Sequence, residues 1–218
     1  MNQPYEGGTS DDIVAGYVRD QIRAIGPKSV VDFGAGRGKM GMLCRDLAGS
    51  DVELTAVEGC PQTVALLERV NIYNNVKEGL LQDWIDDNTQ QYDLAIFGDV
   101  LEHLTRKQSL HALSTMLQYA SNIIVNIPLR NLHQDGHDDN PLEAHLAYFT
   151  EHCFDRRFIV REKHVASPSL GYTKMNIWIT GKKQFRIKNA IKGQLLRHFG
   201  RPAKVMLEKL GYDSFVSG

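Results

Sequence analysis

Between Lys28 and Pro128, short apolar runs alternate with segments of helical period, joined by short connections. "KSVVDF", "DVELTAVE", "QYDLAIFGD" and "NIIVNIP" read as strands, with "IYNNVKEG" as a weaker one. "GKMGMLCRDLAG", "PQTVALLERV" and "TRKQSLHALSTMLQYA" read as helices, the last with Leu110, Leu113 and Leu117 on one side. A strand needs a crossover to pair in parallel with the next, so this order dictates an α/β fold, a doubly wound parallel sheet with helices on both faces. Upstream, Thr9 or Ser10 is expected to cap a helix with a buried stripe of Ile13, Tyr17, Ile22 and Ile25, stopped at Gly26–Pro27. Downstream, Thr150 is expected to cap a helix over "TEHCFDRRF". "FIVREKHVA" and "YTKMNIWITG" then suit an antiparallel pair at the sheet edge.

The 218 residues suit one large domain with room for a small appendage, and 42% hydrophobic against 23% charged residues predicts a packed core. A net charge of -1 supplies no global field toward nucleic acid or membrane. Cys44, Cys60 and Cys153 are too few and scattered for a disulfide scaffold and read as reduced thiols. "MNQPYEGGTSDD" has neither the basic start nor the apolar core of a signal peptide, and no apolar run reaches membrane-spanning length. A cytoplasmic location is the expectation.

Gly34, Gly36 and Gly38 lie directly after the first strand of the alternating region and directly before its helix. In doubly wound proteins, cofactors bind outside the carboxyl ends of the strands. Glycines there let the backbone approach a ligand and adopt positive φ, and the helix that follows presents free N–H groups. The loop is not a P-loop, because Met40 follows Lys39 where Ser or Thr is required. Gly36, Gly38 and Gly41 satisfy G-x-G-x-x-G, so a dinucleotide stays open, with Gly34 then an extra glycine. Glu58 ends the second strand, where a carboxylate accepts hydrogen bonds from both ribose hydroxyls of either kind of cofactor.

"VVDFGAGRGKMG", "AVEG" and "YDLAIFGDVLEHL" together resemble the class I S-adenosylmethionine-dependent methyltransferases, over roughly Val30 to Pro128. The resemblance implies a seven-stranded, mostly parallel, Rossmann-like sheet with an antiparallel last strand. It places Asp32 and Gly34 by the methionine part of the cofactor, Gly36 and Gly38 beneath it, and Glu58 at the ribose. Asp99 falls near the methionine amino group or the acceptor, and His103 beneath the transferring methyl. The family often carries an acid after its third strand for the adenine amino group. Here "KEGLLQDW" puts Leu80 at about that place, leaving adenine to backbone groups and to Leu80, Leu81 or Trp84, with Asp83 a substitute only if the turn is displaced. The corresponding division of the chain is a cofactor-binding domain over 9–181, with an acceptor loop over 129–147, and a basic helical extension over 182–218.

The segment "NIPLRNLHQDGHDDNPLEAHLAYFT" follows the fifth strand and should hang over the same sheet edge. It resembles the loop of methyltransferases that modify sugars and cell-surface glycans, through Asn140, Pro141, Glu143, His145, Phe149 and Thr150. A sugar hydroxyl needs a base to take its proton, and histidine suits that task near neutral pH. His145 is the first candidate, with Glu143 or another carboxylate to orient it; His103 is second and His137 third. Asp135, Asp138 and Asp139 are candidate ligands for a divalent metal; His133, His137 and His145 are a weaker zinc set.

Other readings remain. The core has no basic stripe with interleaved aromatics, which argues against nucleic acid. The extension, with Lys182, Lys183, Arg186 and Lys188 beside Ile187 and Ile191, suits contact with another domain, a subunit or an anionic surface. A sugar or glycan hydroxyl is the preferred acceptor. The alternatives are another small molecule or a nucleic acid as acceptor, a nicotinamide-dependent oxidoreductase, and a scaffold without turnover.

Overall fold

The computed structural model describes residues 12–129, 133–136, 140–167 and 171–181. The expected helix cap at Thr9 or Ser10, and the whole of 182–218, lie outside these residues. The elements are α1 (Ala15–Ile25), β1 (Ser29–Phe33), α2 (Lys39–Ala48), β2 (Glu53–Glu58), α3 (Pro61–Val70), β3 (Asn75–Glu78), α4 (Leu81–Asp87), β4 (Tyr92–Gly98), α5 (Arg106–Tyr119), β5 (Ala120–Leu129), β6 (Ile159–Ser167) and β7 (Tyr172–Thr180).

Seven strands form one sheet in the order β3-β2-β1-β4-β5-β7-β6. β1 to β5 pair in parallel, whereas β7 runs antiparallel to both β5 and β6. The antiparallel last strand thus lies inside the sheet, and β6 forms the edge. Two cores fill the two faces. Val31, Phe33, Ala95 and Phe97 point to the side of α4 and α5; Val30, Leu94 and Ile96 point to the side of α1, α2 and α3. This is the two-fold alternation of a strand covered on both faces, which reads in sequence as an unbroken apolar run. Phe33 and Phe97 stack with ring centroids 4.8 Å apart, and Trp84 meets Phe33 edge-on at 5.4 Å.

Several local expectations are corrected. The buried stripe runs from Val14, in the 3-10 turn Asp12–Val14, to Val18, Gln21 and Ile22 of α1, with Ile13, Tyr17 and Ile25 only half-buried beside it. Gln21 is buried because its amide exchanges hydrogen bonds with Asn176 on β7, which in turn donates to Asn126 on β5. Leu110 is exposed; Ser109, Ala112, Leu113 and Met116 are the buried face of α5. α4 was not expected from the sequence at all. The segment after Thr150 forms two short 3-10 turns, Glu151–Cys153 and Arg156–Phe158, because the Asp155 side chain accepts from the Arg157 N–H and starts a second turn.

Candidate active site

The parallel strands end together, and the loops that leave them enclose a cavity of about 690 Å³. One wall is the loop between β1 and α2. Gly34, Gly36 and Gly38 all have positive φ, at 62°, 52° and 81°. Gly34 also faces a close neighbour, since a Cβ there would lie 2.6 Å from Val100 Cγ2. The loop is braced from β2: the Gly36 N–H donates to Glu58 Oε2 and the Cys60 N–H to Glu58 Oε1, both at 2.9 Å. Glu58 is therefore a buried, bonded side chain and not a solvated strand end. Burial, partly offset by these N–H donors, raises its pKa. Glu58 lines the cavity, and a carboxylate oxygen that accepts one hydrogen bond has capacity for another.

Asp32 lies beneath the loop, 2% exposed. Tyr73 Oη donates to its Oδ2 at 2.6 Å and receives the Gly41 N–H at 3.1 Å. The third glycine of the G-x-G-x-x-G pattern therefore makes room for Tyr73: a Cβ on Gly41 would fall 2.3 Å from that ring. Burial pushes the Asp32 carboxyl up to about 7 despite the Tyr73 hydrogen bond. Its Oδ1, Gln82 Oε1 and Asp99 Oδ1 are buried without a hydrogen-bond partner, and all three residues line the cavity.

At the far end, Asp99 follows β4 with φ 56°, and its Oδ2 accepts from Lys174 Nζ of β7 at 2.6 Å. Glu102 is 2% exposed, and burial first, then the Asp99 carboxylate, hold its pKa well above the usual carboxylate range. His103 and His145 meet edge-on, with ring centroids 5.0 Å apart. The backbone brings them together: the N–H groups of Leu146 and Ala147 donate to the Glu102 carbonyl, and the His145 N–H to the Gln134 carbonyl. Glu102, His103 and His145 each offer one ligand atom within 4.8 Å of the others.

The segment 140–146 also reaches the opposite end. A Cβ on Gly59 would lie 2.8 Å from Leu142 Cδ1 and 3.2 Å from Leu80 Cδ2, so both leucines sit over the end of β2. Leu80 and Leu81 line the cavity; Asp83 is exposed and does not.

The cavity thus gathers Asp32, Gly34, Gly36, Glu58, Leu80, Leu81, Asp99, His103 and His145, whereas Gly38 is not among its lining residues and packs toward Leu67, Ile72 and Tyr73. Asp135 is not among the lining residues: its carboxylate is exposed and lies 3.2 Å from His133 Nε2. His137, Asp138 and Asp139 lie outside the described residues. Glu143 lines the cavity, but its Oε1 is 3.5 Å from Asn140 Nδ2, and Glu102 is the carboxylate grouped with His145. The reading from sequence missed Glu102, Lys174, Gln82 and Tyr73. Glu102 stood inside the quoted "DVLEHL", and Lys174 was a charge within an apolar strand. Nothing marked Gln82 or Tyr73.

The family model for the methyltransferase domain matches residues 14–161, well over half of the chain. The chain belongs to the methyltransferase-domain family. The fold of this methyltransferase domain is also that of the N-terminal domain of EvdMO1, solved in the presence of S-adenosylhomocysteine and D-fucose. The TM-score is 0.60 at 12% identity, over 80% of this chain and 85% of that one. The DhpI–S-adenosylhomocysteine complex gives a TM-score of 0.58 at 15% identity, over 78% and 86%. The methyltransferase domain of bacterial CtHen1-CN gives 0.57 at 17%, over 78% and 98%. At these identities the likeness is one of fold. The comparison with curated proteins returns no match. The family match sets aside the nicotinamide reading of Gly36–Gly41. No helix among the described residues is long and apolar enough to cross a membrane.

Proposed function

We propose that this methyltransferase domain moves a methyl group from S-adenosylmethionine to a hydroxyl oxygen, with a sugar, free, activated or within a glycan, as acceptor. The observation that carries this reading is the continuity of the cavity, from the glycine loop and Glu58 at one end to Glu102, His103 and His145 at the other. The chain's own groups fit the cofactor. Gly34 and Gly36 give backbone access, the free lone pairs of Glu58 suit ribose hydroxyls, and Leu80 and Leu81 offer apolar surface for adenine. The unpartnered oxygens of Asp32, Gln82 and Asp99 supply acceptors for its amino groups and for water.

The cofactor supplies a sulfonium-activated methyl, which needs alignment more than activation. The acceptor oxygen forms its bond to carbon as the carbon–sulfur bond breaks and sulfur keeps the electron pair. The proton of the hydroxyl leaves at the histidine end of the cavity, to His145 or to His103 beside it. His103 Nδ1 lies 3.2 Å from the Ala144 carbonyl. A neutral ring that donates there carries its lone pair on Nε2. The EvdMO1 domain, of like fold, was solved with a sugar present, which favours a sugar acceptor over other hydroxyls.

The test is calorimetric titration with S-adenosylmethionine, S-adenosylhomocysteine and NAD(H), followed by transfer of a labelled methyl to deoxy-sugars, nucleotide sugars, phenols and oligonucleotides. Binding of the sulfur cofactors and label on a sugar oxygen are expected. Label on a phenol or an oligonucleotide alone would overturn the sugar assignment. Cofactor binding with no transfer to any acceptor would favour a scaffold.

A further inference from the structure

The Glu102 carboxylate is buried at the acceptor end of the cavity. Its Oε2 is buried and accepts no hydrogen bond. A buried carboxylate oxygen without a donor is costly unless a proton or a cation compensates it. Glu102 also has Asp99 and Glu143 near enough to act on it electrostatically, and Lys174, the cation among those neighbours, already bonds Asp99 at 2.6 Å. The two imidazoles beside it meet edge-on with centroids 5.0 Å apart, and the ligand atoms of all three residues fall within 4.8 Å of one another. His103 adds a further feature. With Nδ1 donating to the Ala144 carbonyl, the ring is fixed in the orientation and tautomer that leave Nε2 as a ligand, the arrangement by which proteins aim metal-binding histidines.

We infer that Glu102, His103 and His145 form a binding site for one divalent cation at the acceptor end of the cavity. One carboxylate and two imidazoles suit a first-row ion such as Mn²⁺, Fe²⁺, Co²⁺ or Zn²⁺ better than Mg²⁺ or Ca²⁺, which favour oxygen ligands. Three protein ligands leave coordination positions open toward the cavity, where hydroxyl oxygens of an acceptor would be held and acidified. This role rests on the proposed methyl transfer; the binding itself does not. It also bears on the proton. An imidazole committed to an ion accepts none, so in the loaded protein the acceptor's proton leaves to solvent, and the histidine base serves only the ion-free form. The site differs from the loop carboxylates singled out in the sequence, since Asp135 is exposed beside His133 and lies outside the cavity.

The test uses the full chain, stripped with chelator and titrated with Mn²⁺, with the loss of the free-ion signal read by electron paramagnetic resonance. One Mn²⁺ per chain is expected, with affinity reduced about 10–100-fold or more in Glu102→Gln and in His145→Ala, and unchanged in His133→Ala and Asp135→Ala. Circular dichroism checks each fold. Should Glu102→Gln fail to fold, His103→Gln and His145→Gln, both on partly exposed residues, decide the matter. Absence of Mn²⁺ binding, or binding weakened by Asp135→Ala and indifferent to the Glu102 and His145 variants, would overturn the site. S-adenosylhomocysteine binding is measured on the same samples. If it persists without Mn²⁺ binding, the cation site alone fails; if it is absent while Mn²⁺ binds, the methyl-transfer reading alone fails.

Discussion

Lys174 of β7 reaches across the mouth of β4 to donate to Asp99, Nζ to Oδ2 at 2.6 Å, with its own side chain only 2% exposed. The pair joins the antiparallel strand to the loop that carries Glu102 and His103. Removing one member of a buried ion pair leaves the other uncompensated, which costs about 3–5 kcal/mol. Lys174→Ala should therefore lower the unfolding free energy in urea by that order. Combining it with Asp99→Asn should return part of the loss, because the orphaned charge is then gone.

Glu58 holds both ends of its turn, through Gly36 and Cys60. Glu58→Ala should weaken S-adenosylmethionine binding by at least about 1–3 kcal/mol in calorimetry. Glu58→Gln, which keeps one acceptor oxygen, should lose less. Unchanged affinity in the alanine variant would remove Glu58 from the ribose.

Asp32 sets a pH dependence. Its carboxyl lies at about 7 in the native chain against an ordinary 3.8, chiefly through burial. The native state thus holds a proton that the unfolded chain has already released. The resulting contribution to stability is full below about pH 4 and is lost as pH rises through about 7. Buried Glu58 and Glu102 act with the same sign. The isolating measurement is the unfolding free energy of the native chain minus that of Asp32→Asn across this range; the difference should fall as pH rises.

Gly34 combines φ 62° with Val100 Cγ2 at 2.6 Å from any Cβ. Gly34→Ala should destabilise the chain by about 1–3 kcal/mol from backbone strain alone and reduce cofactor binding. Adding Val100→Ala removes the Cγ2 contact but leaves the Cβ of residue 100 at 2.9 Å and the dihedral unchanged, so thermal unfolding should show only partial rescue.

His145→Ala should leave S-adenosylhomocysteine binding intact and lower turnover by about 10²–10⁴. Full activity would exclude His145 from the chemistry, as base or as ligand.

The features legible in the sequence are those whose cause is local. A turn that needs positive φ selects Gly34, Gly36 and Gly38, and a strand covered on both faces demands a run such as "DLAIFG". Glu58 was legible because a strand end and its following turn are contiguous. The unread features depend on distant partners. Lys174 meets Asp99 from 75 residues away, and Tyr73 meets Asp32 from 41. Glu102 is buried because the loop returning at Leu146 and Ala147 bonds its carbonyl. The helix Leu81–Asp87 was unread because seven residues show too little of a period, and the exposure of Leu110 was unread because apolarity alone does not say which side of a helix faces the sheet.

Leu142 and His145 are close neighbours in the chain yet stand at opposite ends of the cavity, one over Gly59 and the other against His103. A ligand that seats Leu142 therefore also sets where His145 stands. For the proposed methyl transfer the expected kinetics are therefore ordered, with the cofactor entering first and its demethylated product leaving last, and product-inhibition patterns with S-adenosylhomocysteine check that order.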